Sequence, residues 1–222
     1  MGAKRRENYD DWWRCEIRFD PDLDDAFGIT HTKQQIRPKE YLNEALQPIV
    51  EDTAKALNSR VRQKHLNLKT EKTGIEAEKL AAKRHDLLRP IPKTKRHVVD
   101  TKALSELAGR HARVKEALTE KNPNTQYLLV QDEQDAGPFY KPLVTDGVLV
   151  AVLNSNHLFF RKFYEPLVSQ NGLDSTTASH VINLMLLAAT RAEALFSNRD
   201  ERETLAKFRK EWSEVLDALL RS

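Results

Sequence analysis

Glycine is scarce and scattered in this sequence. The chain has seven in 222 residues, and nowhere do they cluster into the loop that wraps nucleotide phosphates. Cysteine occurs once, as Cys15. That excludes an internal disulfide and a cysteine-cluster metal site, and points to a reducing, cytoplasmic compartment. Long apolar runs are missing as well. No window approaches the roughly 20 consecutive apolar residues of a membrane span, and the basic opening Met1–Arg6 lacks the apolar stretch of a secretory signal. No membrane association is expected. The seven histidines are dispersed, with none spaced i, i+3 or i, i+4 from another, so no metal site is expected. No serine or cysteine sits in a nucleophile elbow. The expectation is a chain without a self-sufficient enzyme active site.

What is there begins with charge. The chain is 40% hydrophobic and 31% charged, with a net charge of +3. The segment Arg60–Arg96 alone carries a net +8, leaving the remainder acidic. Its Lys64, Lys69, Lys72, Lys83, Arg84, Lys93, Lys95 and Arg96 could run along the phosphates of DNA or RNA. The segment has no aromatic residue on which bases could stack. It reads equally as a solvated helix pair, and any binding would be backbone-directed and sequence-tolerant.

Periodicity divides the chain. Trp12–Phe19 alternates apolar and polar positions and predicts a strand, broken at Asp20-Pro21-Asp22. Leu42, Leu46, Ile49, Thr53, Leu57 and Val61 predict a helix after Pro38, with Pro48 kinking or dividing it. A second helix is expected near Ile75–Leu88, and a third from Asp100 or Thr101 towards Lys121. Beyond residue 123 come an apolar run at Tyr127–Val130 and two strands, Phe139–Val144 and Val148–Leu153, joined by the hairpin signal Asp146-Gly147. Asn154-Ser155-Asn156 then offers capping chemistry to an aromatic helix, and His157 reads as part of that cap and core. Helices near Ser175–Phe196 and Glu201–Leu220 close the sequence. The first is apolar on two faces, which calls for burial on all sides or for a second copy of the chain.

The segment Phe19–Pro38 carries the most chemistry. It has an acidic turn (Asp22, Asp24 and Asp25 at a helix start), then a glycine-hinged loop offering His31, Thr32, Lys33 and Gln34. A loop lysine after a glycine is a compact charge able to approach a phosphate. Most loop lysines are simply solvated, and residue chemistry alone leaves both readings open.

The order Phe19, Leu23, Asp24, Phe27, Gly28, Ile29, Thr30, Lys33, Gln34 resembles a segment of the transducer-like domain of GHKL ATPases. That family includes DNA gyrase B, MutL, topoisomerase VI and the heat-shock chaperones. The stretch Val152–Tyr164, where a strand ends in asparagine before an aromatic helix, is similar to a region of bacterial members. The resemblance implies that Lys33 contacts the γ-phosphate of ATP, with His31, Thr32 and Gln34 beside it. Topoisomerases have glutamine where His31 stands here. The resemblance also implies Mg²⁺ and a nucleotide-binding domain, upstream or on a separate chain, because the Glu/Asn helix and glycine loop of that domain are not in this sequence. A homodimer is the further implication. The expected architecture is α/β in three parts: residues 1–62 end a transducer-like domain, 63–122 form a basic helical arm, and 123–222 pack a small sheet with helices. The expected role is the coupling and effector portion of a GHKL-type ATPase. The alternative is a non-enzymatic nucleic-acid-binding or dimerisation module.

Overall fold

The computed structural model describes residues 11–29, 36–91, 101–120, 126–145, 147–170, 172–196 and 198–221. The protein is mainly helical, with one three-stranded mixed sheet packed against helices, an α/β fold. It divides into two units, Met1–His65 and Leu66–Ser222.

In the first unit a 3₁₀ turn, Pro21–Leu23, leads into the single-turn helix α1 (Asp24–Phe27), and α2 (Glu40–Lys83) follows. No strand forms over Trp12–Phe19. Strand geometry needs a backbone partner, and the described residues offer none. The aromatic side chains dock instead: Trp13 Nε1 donates to the buried Asn58 at 2.7 Å, and Trp12 meets His65 edge-on at 4.6 Å.

The expected first and second helices are one element. Pro48 lies inside α2 without dividing it. Between Arg62 and Gly74 the residues are mostly good helix formers and include no proline. Gly74 faces Leu129, with 3.5 Å between an added Cβ and the Leu129 side chain, so its small size fits a close helix–strand approach. The helix ends in the 3₁₀ turn His85–Leu87 before Pro90. The expected third helix is divided at His111, whose extended backbone separates α3 (Thr101–Arg110) from α4 (Ala112–Thr119).

The second unit is built on β1 (Gln126–Asp132), β2 (Tyr140–Thr145) and β3 (Val148–Asn154) in the order β1-β3-β2. β3 runs parallel to β1 and antiparallel to β2. Gly147 at φ +77° turns the hairpin. All seven residues of β3 are buried, and alternation sorts the sheet into two cores. Leu128, Val130, Val148, Val150 and Val152 meet Leu104 and Leu107 of α3 and Val114 and Ala117 of α4. On the opposite face, Tyr127, Leu129, Leu149, Ala151 and Leu153 meet Ala77 of α2, Phe160, Tyr164 and two closing helices. Phe160 and Tyr164 belong to a π-helical segment, Phe159–Tyr164, continued by α5 (Glu165–Ser169). The closing helices are α6 (Leu173–Glu193) and α7 (Arg199–Leu220).

Two buried ionic networks tie helices to this sheet. At the open edge of β1, the Leu129 N–H donates to Glu78 Oε1 at 2.7 Å, and Arg113 of α4 pairs with the same carboxylate. Burial still holds the Glu78 carboxyl above its ordinary pKa. Beside β2, Glu193 accepts from the Tyr140 hydroxyl at 2.8 Å and pairs with Arg209.

Candidate functional site

Three regions carry or could carry chemistry. The first is the stem of the glycine-hinged loop. Gly28 adopts φ +60°, and an added Cβ would lie 2.2 Å from the Arg37 carbonyl oxygen. Only glycine fits there, for both conformational and steric reasons. The two sides of the stem are hydrogen-bonded: Arg37 N–H donates to Phe27 O at 3.0 Å and Lys39 N–H to Ala26 O at 2.8 Å. Phe27 is buried and stacks on Phe19 with ring centres 3.7 Å apart. The motif residues Phe19, Phe27 and Gly28 therefore form a packed base that holds Ala26–Phe27 against Arg37–Lys39. His31, Thr32, Lys33 and Gln34 lie outside the described residues.

The second region is basic. Lys64 is exposed on α2 in the first unit. In the second unit Lys72 and Lys83 are exposed on one face of α2, with Lys79 between them on the same face, and Arg84 follows the helix end. Lys69 is turned to structural use, donating to the carbonyls of Ser169 at 3.3 Å and Gln170 at 2.8 Å. Lys93, Lys95 and Arg96 lie outside the described residues.

The third region is a cavity of about 560 Å³ outside the carboxyl ends of β1 and β3. Gln134, Asn154, Asn156, His157, Ser213 and Asp217 line it. Asn154 closes β3, and its Oδ1 accepts the backbone N–H of Asn156 at 3.0 Å and of Gln134 at 3.3 Å. Those bonds fix the amide orientation, leaving the Nδ2 donors on the other side. Ser213, on the inner face of α7, accepts from Phe139 N–H at 2.8 Å and lies 2.9 Å from His157 Nε2. His157 Nδ1 accepts from Phe159 N–H at 3.1 Å.

Serine, histidine and Asp217 so close together invite comparison with a hydrolytic triad, and the hydrogen bonding rules it out. A neutral imidazole whose Nδ1 accepts must carry its proton on Nε2. Nε2 then donates to Ser213 and cannot take its proton. Asp217 stands 3.9 Å from Nε2, whereas an orienting carboxylate would serve Nδ1. Burial lowers the His157 pKa, partly opposed by Asp217, which keeps the ring neutral. His157 thus caps and packs, as its neighbours in sequence suggest. Ser213 gives no sequence signal, standing alone among the charged residues of α7. The signal that points to this place is topological: the carboxyl ends of adjacent parallel strands are where open α/β sheets bind ligands.

Among the described residues no group of three or more histidine, cysteine, aspartate or glutamate side chains could hold a metal ion, and no helix is long and apolar enough to cross a membrane. No family model, curated protein or solved structure matches this chain.

Proposed function

We propose that this chain is the coupling and effector portion of a GHKL-type ATPase, in which Lys33 meets the γ-phosphate of ATP. The observation that supports the reading is the paired backbone on the two sides of the segment that contains Lys33. Gly28 in its left-handed conformation, the Phe19–Phe27 stack and the paired backbones of Ala26–Phe27 and Arg37–Lys39 give the segment a built base rather than a slack surface connection. A charge that must reach a ligand on another domain needs such a mount, because every unfixed residue in the loop adds conformational entropy to be lost on contact.

The described residues offer no ligand set for Mg²⁺, and the sequence has no glycine loop for the phosphates. In this reading ATP and Mg²⁺ are held by a nucleotide-binding domain, upstream or on a separate chain. This chain contributes one charge to that site and transmits its state. A chain with a single cysteine, Cys15, fits a reducing, cytoplasmic setting.

The test is turnover in an assembly reconstituted with the nucleotide-binding domain. Lys33→Ala should lower ATP hydrolysis on the order of 10²-fold, and by more than it lowers ATP affinity, as expected of a group acting mainly on transition-state charge. Gly28→Ala should fall in the same direction by unseating the loop base. Unchanged turnover in Lys33→Ala would return that lysine to an ordinary surface role.

A second reading, nucleic-acid binding without catalysis, is favoured by one observation. Lys72, Lys79 and Lys83 share one exposed face of α2, the arrangement that follows a phosphate backbone.

A further inference from the structure

We propose that the cavity at the carboxyl ends of β1 and β3 binds a neutral, polyhydroxylated small molecule of sugar or ribose size, held by the unspent donors of Asn154 and Ser213. Both residues are 3% exposed. A donor that lines a cavity and has no protein partner there is open to a ligand or to water.

The unspent donors follow from the hydrogen-bond count. Asn154 uses both acceptor positions of Oδ1 on Gln134 and Asn156, and its Nδ2 donates to no described residue. Ser213 accepts twice, from Phe139 N–H and from the Nε2–H of His157. Its own hydroxyl proton is left to point elsewhere. Both donors line the same cavity.

The class of ligand follows from charge. The basic groups on the wall are already matched: Arg221 lies 2.6 Å from Asp217 and Lys210 lies 3.7 Å from Glu214. Asp135 adds a further negative charge, so nothing in the cavity favours an anion. The remaining equipment is the carboxamides of Gln134, Asn154 and Asn156 with one hydroxyl. Carboxamides donate and accept at once, and so do ligand hydroxyls. About 560 Å³ is ample for one sugar ring. With His157 unable to act as a base toward Ser213, the site binds and does not hydrolyse. It is independent of Lys33, so it stands or falls apart from the ATPase reading.

The test uses the ¹⁵N-labelled full chain, titrated by NMR with D-ribose, D-glucose and inorganic phosphate in turn. The expected result is saturable, millimolar perturbation of the Phe139, Asn156 and Phe159 amides by a sugar and not by phosphate. Asn154→Asp keeps the acceptors for Gln134 and Asn156 while removing the Nδ2 donors, and should weaken that binding about tenfold. Ser213→Ala should weaken it similarly. If Ser213→Ala does not fold, Asn154→Asp carries the test. Saturation by phosphate alone, no saturable shift with either sugar, or sugar binding unchanged in Asn154→Asp would each overturn the proposal.

Discussion

Glu78 joins three elements through one carboxylate. It stands on α2, accepts the outward N–H of Leu129 in β1, and pairs with Arg113 of α4. Removing it leaves a buried backbone donor without an acceptor and leaves the Arg113 guanidinium only its 3.9 Å pair with Glu71. Glu78→Ala should cost about 3–5 kcal/mol in urea unfolding, the range for breaking a buried pair on one side. Glu78→Gln, which keeps an acceptor for Leu129, should cost clearly less. Equal losses would mean that the Arg113 pair, and not the strand edge, is what the carboxylate supports. His157 gives a pH dependence instead. Its pKa is lowered in the folded chain, chiefly by burial, with Asp217 opposing and Arg221 engaging Asp217. The unfolded chain therefore binds the proton first, at about pH 6.5. Stability should be full above that pH and decline below it, towards the depressed value. Urea midpoints on either side of about pH 6.5 check this, and His157→Gln should flatten that part of the profile.

Among the elements, those with local signals were legible in the sequence. The hairpin announced itself through Asp146-Gly147 between two apolar-rich runs, and α6 and α7 through their periodicity. α2 was legible in pieces and not as one helix, because Pro48 signals a break that a well-supported helix can absorb and Arg62–Gly74 lacks the apolar stripe that would bridge them. The cavity was not legible at all. Asn154 and His157 are near neighbours in sequence, but Ser213 stands 56 positions beyond His157 and meets it only through the packing of α7. The lysine row of α2 is the element whose partner can be tested directly. If Lys72, Lys79 and Lys83 each meet one phosphate, binding to duplex DNA followed by fluorescence anisotropy should weaken with a log–log salt slope near −3. Replacing all three with glutamine should abolish that dependence. Binding that ignores salt would leave the row as a solvated face.

At the scale of the molecule, two helices of the second unit keep apolar side chains on their outer faces. α6 buries Asn183, Leu186, Leu187 and Thr190 but leaves Val181 and Met185 exposed, so it is not wrapped on all sides. α7 exposes Phe208, Trp212, Val215 and Leu219, spaced four, three and four apart. That is the register of a helix seamed to another helix. The expected form of the full chain is a homodimer through α7, seen by light scattering at micromolar concentration, with Trp212→Glu monomeric. A monomeric wild-type chain would make the stripe a surface feature only. The strand order has a consequence in time rather than in space. β2 and β3 adjoin in sequence and can zip together from Gly147 at little entropic cost, whereas β1 must wait: its inner side needs β3 already in place, and its outer side needs a glutamate 51 residues upstream. Closing those two loops is expected to be slower than zipping the hairpin. β1 is therefore expected to gain amide-exchange protection after the β2–β3 hairpin on refolding, as pulse-labelling would record.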